Sequence, residues 1–313
     1  MMSLNMSALS IHLNRIDALI KPVISNHSTH YLSTVLLHGK RLRSRLCISG
    51  AAAYNININE NIYYAASAIE CIHMASLLHD DILDVAHTRR GALSTWKQNG
   101  AHLAVLGGDL LLTHSLTLAC KTKSIEAIDL ITKKTCKMVE GEILQNSPQC
   151  PFSQTYYARI IKHKTASLFE AAIMLAAPEH ARTAVERIGT LIGMAFQIIN
   201  DLKDYRCLTD DLPPGPDILQ RRISAPLLWL LHHTQSPEQL KAAWNSKTDD
   251  IVSILKNEDI LSMYKYFHTT ITSIIHKTFA HMEQASMPNP TPLHHFIEQT
   301  FTPPLNELHA LLT

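Results

Sequence analysis

Three carboxylates, Asp80, Asp81 and Asp84, crowd one helical turn, and two arginines, Arg89 and Arg90, follow closely. Ile69, His73, Ser76, Asp80 and Asp84 recur at steps of three or four residues. A helical period therefore places them on one stripe that begins apolar and small and ends acidic. Unneutralised acids at this spacing repel one another. A solvated acidic helix end would account for them, but Met74, Ala75, Leu77 and Leu78 make the approach apolar. A hard cation accounts for them better. Mg²⁺ takes oxygen ligands and typically uses one or two carboxylates together with substrate phosphates. The neighbouring arginines would grip the same phosphates, bidentately where geometry allows.

Three further groups suit the same chemistry. In HGKRLRSRL, Lys40, Arg41, Arg43 and Arg45 form either a solvated basic face or an anion site beginning at Gly39. There the backbone can approach a phosphate and a helix N-terminus adds its dipole. In HKTASLFEAA, Lys164 and Thr165 bring a cation and a hydroxyl to an apolar setting. In VERIGTLIGMAFQIINDLKDY, an apolar helix gives way to Gln197, Asn200, Asp201 and Asp204, repeating the pattern of the first stretch. Within a helical bundle, two such acidic ends would face each other across one cavity, as a metal cluster between helices requires.

The elements that must position these groups read as helices. Ala8–Lys21, Tyr31–Tyr54, Ala65–Val85, a helix opened by Asp109, Ala127–Gln145, Tyr156–Ala177, Ala184–Tyr205, Ala225–His233, Gln239–Leu255, Tyr264–Ala285 and Pro292–Phe301 carry helical patterning. Asn146–Ser153 and Arg206–Ser224 read as loops. With only 10 glycines and little alternating pattern, the chain is expected to be all-α, a large helical bundle around an apolar cavity, in one domain over residues 1–313.

Composition excludes several classes. At 46% hydrophobic residues and a net charge of +1, the chain can bury a sizeable core and is not a general nucleic-acid binder. Six scattered cysteines lack C-x-x-C spacing, and 19 histidines form no zinc pattern, so reduced thiols in a cytoplasm are expected. No secretory signal is apparent before Lys21, and no apolar run is long enough to predict a transmembrane helix.

HDDILDVAHTRRG, HGKRLRS, GGDLLL, EGEILQ and HKTASLFEAA together resemble the trans-prenyl diphosphate synthases. The chain is most similar to the bacterial long-chain polyprenyl (octaprenyl-type) members. The resemblance runs from about residue 10 to 235. It implies an isoprenoid-synthase bundle, Mg²⁺ as cofactor, and head-to-tail condensation of isopentenyl diphosphate with an allylic prenyl diphosphate. It implies Asp80, Asp84, Asn200, Asp201 and Asp204 at the metal, with Asp80, Asp81, Asp84, Lys164 and Asp201 as the catalytic set. Arg89, Lys164, Thr165 and Gln197 would bind the allylic diphosphate. Lys40, Arg43, His73 and Arg90 would bind isopentenyl diphosphate. Small residues at Ala75 and Ser76 leave the chain's path open, so the implied product exceeds the geranylgeranyl length, with Leu116 as a deeper stop. A homodimer is implied, with the product passed to a membrane. The pattern departs from the family at His38 and Ser44 (usually Gly and Pro), at Asn200 (usually Asp), at Gly215-Pro216-Asp217 in a shortened loop, and at Arg222 for a lysine. Two alternatives stand beside this: a terpene cyclase-like lyase, which would have no use for a second diphosphate site, and a non-catalytic subunit of a heteromeric synthase.

Overall fold

The computed structural model describes residues 6–24, 32, 39–89, 91–147, 150–210, 212–246 and 250–312. Helices dominate: α1 (Met6–Ile24), α2 (Leu42–Ala53), α3 (Glu60–Leu83), α4 (Thr95–Asn99), α5 (Ala101–Lys121), α6 (Ile125–Gln145), α7 (Gln154–Ile161), α8 (Ser167–Leu175) and α9 (Arg182–Asp204). They are followed by α10 (Pro216–Leu219), α11 (Ala225–His233), α12 (Pro237–Asn245), α13 (Ile251–Lys256), α14 (Ile260–Gln284) and α15 (Thr291–Ala310). The described strands are β1 (Thr88–Arg89) and β2 (Ala92–Leu93), an antiparallel hairpin pairing Thr88 with Leu93 and Arg89 with Ala92. The chain is all-α. It forms two compact units, each assembled from three stretches of sequence: Met1–Cys136, Leu168–Gly189 and His281–Phe296 in the first, and Lys137–Ser167, Thr190–Ala280 and Ile297–Thr313 in the second.

In the first unit α3 is the central helix. Asn59 caps it, its side-chain oxygen accepting from the backbone N–H groups of Asn61 and Ile62. Ala65, Ala66, Ala68, Ile69, Cys71, Ile72, Ala75 and Leu78 are buried, and the many small side chains allow close packing on several sides. Helix α5 packs on α3, and a Cβ at Gly108 would fall 2.1 Å from Nε2 of His79, so any larger residue there would have to displace the imidazole. That helix is long and apolar enough to cross a membrane by length and composition alone, which corrects the expectation that none is. Its Gly107, Gly108, Leu111 and Leu118 are nevertheless buried within the unit. Lys134 of α6 joins Glu170 of α8 at 2.5 Å and Glu186 of α9 at 2.6 Å, a partly buried ion network that fixes three helices together.

The second unit is built on Tyr205, Trp244 and Tyr264, all fully buried, with the apolar helix α11. The expected helix over Tyr156–Ala177 is interrupted by one π-helical turn at Lys162–Ala166. Such turns insert one extra residue and recur at functional sites. Other boundaries also move. Asp109 lies in the middle of α5, α3 stops at Leu83, Gln239–Leu255 divides into α12 and α13, and α15 runs on past Phe301. The segment before α2 falls largely outside the described residues, as does His38.

Candidate active site

The acidic end of α3 is a helix C-terminus, where carboxylates add to the negative end of the helix dipole. Asp80 lies in the last turn and Asp84 is the C-cap, its N–H donating to the Asp80 carbonyl at 2.7 Å. Both side chains are half-buried. Asp81 behaves differently. It is 2% exposed, and its Oδ1 accepts from Arg89 Nε at 2.7 Å, with Nη2 at 2.5 Å. Val85, at φ 51°, turns the chain out of the helix, and the hairpin brings Arg89 back to Asp81. Asp81 is thus a holder of Arg89. Arg90 lies outside the described residues.

Upstream on the same helix His73 is half-buried, and its carbonyl accepts from the Ser76 hydroxyl at 2.9 Å. Ala75 is fully buried and Ser76 half-buried. Leu116, expected as a deep stop, is 49% exposed, which corrects that assignment. The buried stripe of α5 runs through Ala104, Gly107, Gly108, Leu111, Ser115 and Leu118, and Leu116 sits one residue, about 100°, round from it.

The basic segment opens α2 from Arg41, not Gly39. Arg41 takes φ 49° as the N-cap and is anchored by Asp17, Nε to Oδ1 at 2.9 Å. Lys40 is exposed, while Arg43 is 7% exposed with its guanidinium 4.8 Å from the centre of the Phe169 ring.

In the second unit the π turn sets Lys164 against α6. Its Nζ lies 2.5 Å from Glu142 and donates to Gln145 Oε1 at 2.7 Å. Gly141 permits this, because a Cβ there would fall 2.2 Å from the Lys164 backbone nitrogen. The motif EGEILQ thus supplies a gap and two partners for one lysine. Beside it runs a relay of hydrogen bonds. Thr165 donates to Gln197 Oε1 at 2.6 Å, and Gln197 donates to Asp201 Oδ1 at 2.8 Å. Tyr157 and the Ala225 N–H donate to Asp201 Oδ2 at 2.6 and 3.0 Å.

Asp201 is 2% exposed, and its two oxygens accept from three protein donors, which fix the carboxylate in place. Thr165 is buried and donates its hydroxyl proton to Gln197, joining the relay. Asp204 and Asn200, one helical turn apart, are both half-buried. The loop after α9 folds back at Gly215, whose N–H donates to the Asp204 carbonyl at 3.0 Å, and Asp217 N–H donates to Asp204 Oδ2 at 2.9 Å. Asp217, the acid of the shortened Gly215-Pro216-Asp217 loop, is buried. Burial, then the charges of Asp201 and Asp204, push its carboxyl well above the usual range. Burial likewise raises Asp201. Tyr157 carries no sequence signal for this role, because a tyrosine on an amphipathic helix reads as core.

Among the described residues no three His, Cys, Asp or Glu side chains converge as a ready metal cage. Mg²⁺ does not need one, since it keeps several waters and completes its shell with substrate phosphates. In the first unit Asp80 and Asp84, and in the second Asp204 and the Asn200 amide, are oxygen donors of the kind it takes, so the donor chemistry of each fits.

A family model for polyprenyl synthetases matches residues 23–260. The octaprenyl diphosphate synthase of Haemophilus influenzae is 32% identical over 206 residues, 62% of this chain and 62% of that relative, so the match spans less than two thirds of its length. The all-trans-nonaprenyl-diphosphate synthase (geranyl-diphosphate specific) of Rhodobacter capsulatus is 31% identical over 252 residues, 75% of each chain. The crystal structure of a polyprenyl synthase from Caulobacter crescentus, complexed with calcium and isoprenyl diphosphate, superposes with a TM-score of 0.80 at 25% identity, covering 97% of this chain and 95% of that one.

Proposed function

The chain belongs to the polyprenyl synthetase family, and from that premise we propose that it is a long-chain polyprenyl diphosphate synthase. It condenses isopentenyl diphosphate head-to-tail with an allylic prenyl diphosphate. The single observation that carries this reading is the acidic end of α3, where two half-buried carboxylates at the negative pole of a helix stand beside an arginine held by a third.

The residue roles follow from what each side chain is tied to. Asp80 and Asp84 of the first unit would hold Mg²⁺, as would Asp204 with the Asn200 amide of the second; when bound it supplies positive charge to a departing diphosphate. Arg89, fixed by Asp81, and Lys164, fixed by Glu142 and Gln145, bring cations to the allylic diphosphate. Gln197 is oriented for the same substrate by Thr165 and Asp201. Lys40, Arg43, His73 and Arg90 bind isopentenyl diphosphate. The bond between allylic C1 and its diphosphate oxygen breaks, the isopentenyl double bond attacks C1, and the proton then lost goes to the departing diphosphate. The protein aligns two substrates and stabilises a leaving group, which asks for fixed cations and no nucleophile–base pair.

Ala75 and Ser76, one turn before Asp80, place no bulk beside the reacting end, and the product is longer than geranylgeranyl diphosphate. The named relatives make octaprenyl and nonaprenyl products, which supports that length. Val105, Leu106 and Leu116 leave an apolar exposed face on α5, and a second copy of the chain is the occupant we assign to it, giving a homodimer. The six free thiols suit a reducing cytoplasm, from which the apolar product passes to a membrane. The test is steady-state turnover of Asp80→Ala and Asp84→Ala at saturating Mg²⁺. Each should lose about a hundred- to a thousandfold in kcat, as for a lost electrostatic stabiliser. Near-normal turnover by either would remove the metal assignment.

A further inference from the structure

Glu70 of α3 belongs to neither acidic motif, yet it organises the start of the basic segment. It is 2% exposed. Its Oε2 accepts from the Ser44 hydroxyl at 2.9 Å, with the Ser44 N–H at 3.4 Å, and its Oε1 lies 3.9 Å from Arg41 Nη1. Ser44 is in the first turn of α2, so a carboxylate from another helix stands at the positive end of the α2 dipole and serves N–H groups that lack a helical partner. The same carboxylate helps to hold Arg41, whose left-handed backbone at φ 49° directs the chain from Lys40 into the helix. Arg43 needs a counter-charge. It is buried against Phe169, its Nε has no hydrogen-bond partner, and burial pushes the guanidinium down to about 10, with the Glu70 charge working in the opposite direction.

The family pattern has proline where this chain has Ser44. A proline would stiffen this turn through its ring. Here the turn is stiffened instead by a hydroxyl donating to a buried carboxylate.

We infer that Glu70 is a positioning residue for isopentenyl diphosphate, holding Lys40 and Arg43 in place through Ser44 and Arg41. The inference rests on Lys40 and Arg43 forming that binding site. The experiment is steady-state kinetics with each substrate varied separately, for Glu70→Gln, Ser44→Ala, the double variant and Lys40→Ala. Glu70→Gln should raise KM for isopentenyl diphosphate by about tenfold, the scale of one hydrogen bond to a charged group, while KM for the allylic substrate and kcat move by less than about twofold. Ser44→Ala should raise the same KM by about threefold, and the double variant should be no worse than Glu70→Gln, because the two act through one contact. Equal changes in both KM values, or additive effects, would reduce Glu70 to general stability and overturn the inference. If Glu70→Gln fails to fold, Ser44→Ala decides, and an unchanged KM for isopentenyl diphosphate overturns it. A Lys40→Ala enzyme with unaltered KM for isopentenyl diphosphate would instead overturn the underlying site, whatever Glu70 does.

Discussion

A methyl group placed on Gly141 would have nowhere to go. Its Cβ would sit 2.2 Å from the Lys164 nitrogen, 2.7 Å from the Lys164 Cα and 2.8 Å from the His163 carbonyl carbon. All three are backbone atoms, so no side-chain rotation relieves the overlap, and α6 must move off the π turn by about an ångström to regain van der Waals contact. In an ordinary helix interior Gly→Ala stabilises by about 0.5–1 kcal/mol. Overpacking costs about 1–3 kcal/mol, so the net effect of Gly141→Ala should be a loss of about 1–2 kcal/mol, with the sign opposite to helix propensity. The displaced turn also carries Lys164 away from Glu142 and Gln145, so KM for the allylic diphosphate should rise by about tenfold, as for one charged hydrogen bond. Denaturant midpoints and substrate kinetics measure the two effects. Gly50→Ala is the internal control: its Cβ would meet Ala176 at 3.3 Å and Ile173 at 3.4 Å, both side-chain carbons, and its loss should be smaller. A Gly141→Ala protein as stable as wild type, with unchanged KM, would refute the idea that this glycine exists to let the π turn seat Lys164.

Tyr157→Phe removes one of three donors from the buried Asp201 carboxylate and should cost about 1–3 kcal/mol, read by denaturation, together with a higher KM for the allylic substrate as Gln197 loosens. A variant of wild-type stability would mean that Asp201 does not depend on the relay. Asn200→Asp adds a charged oxygen and should lower the Mg²⁺ concentration giving half-maximal rate; an unchanged or higher requirement would take that position out of the metal shell. Ala75→Phe or Ser76→Phe should shorten the products, since each blocks a path along which every CH₂ buried gains ~0.8 kcal/mol. An unchanged product distribution in both variants would show that these small residues serve helix packing alone.

The acidic and basic motifs were legible because they break an apolar helical pattern with charges that need a partner. Which charges face the site was not. Asp80 and Asp81 are adjacent, as are Asn200 and Asp201, and neighbours on a helix point about 100° apart. Packing alone turns Asp81 toward Arg89 and Asp201 toward Tyr157. The π turn at Lys162–Ala166 leaves no mark in residue type, and Tyr156–Ala177 therefore read as one helix. Residues 65–85 overrun the end of α3 because Val85 adopts a left-handed conformation that β-branched residues rarely supply. Leu116 was assigned inward because α5 is apolar on both faces, and periodicity cannot then choose between them. Glu70 was hidden inside an otherwise apolar run whose demand for a counter-charge comes from a separate helix.

The central claim is elongation, and one incubation tests it most directly. The full chain is mixed with labelled isopentenyl diphosphate, farnesyl diphosphate and Mg²⁺, and the dephosphorylated products are separated by chain length. Elongation gives labelled prenyl alcohols longer than twenty carbons, formed only when both substrates are present. Unlabelled hydrocarbon or alcohol from farnesyl diphosphate alone would mark a cyclase-like lyase, and no product at all would mark a subunit that needs a catalytic partner; either result contradicts it.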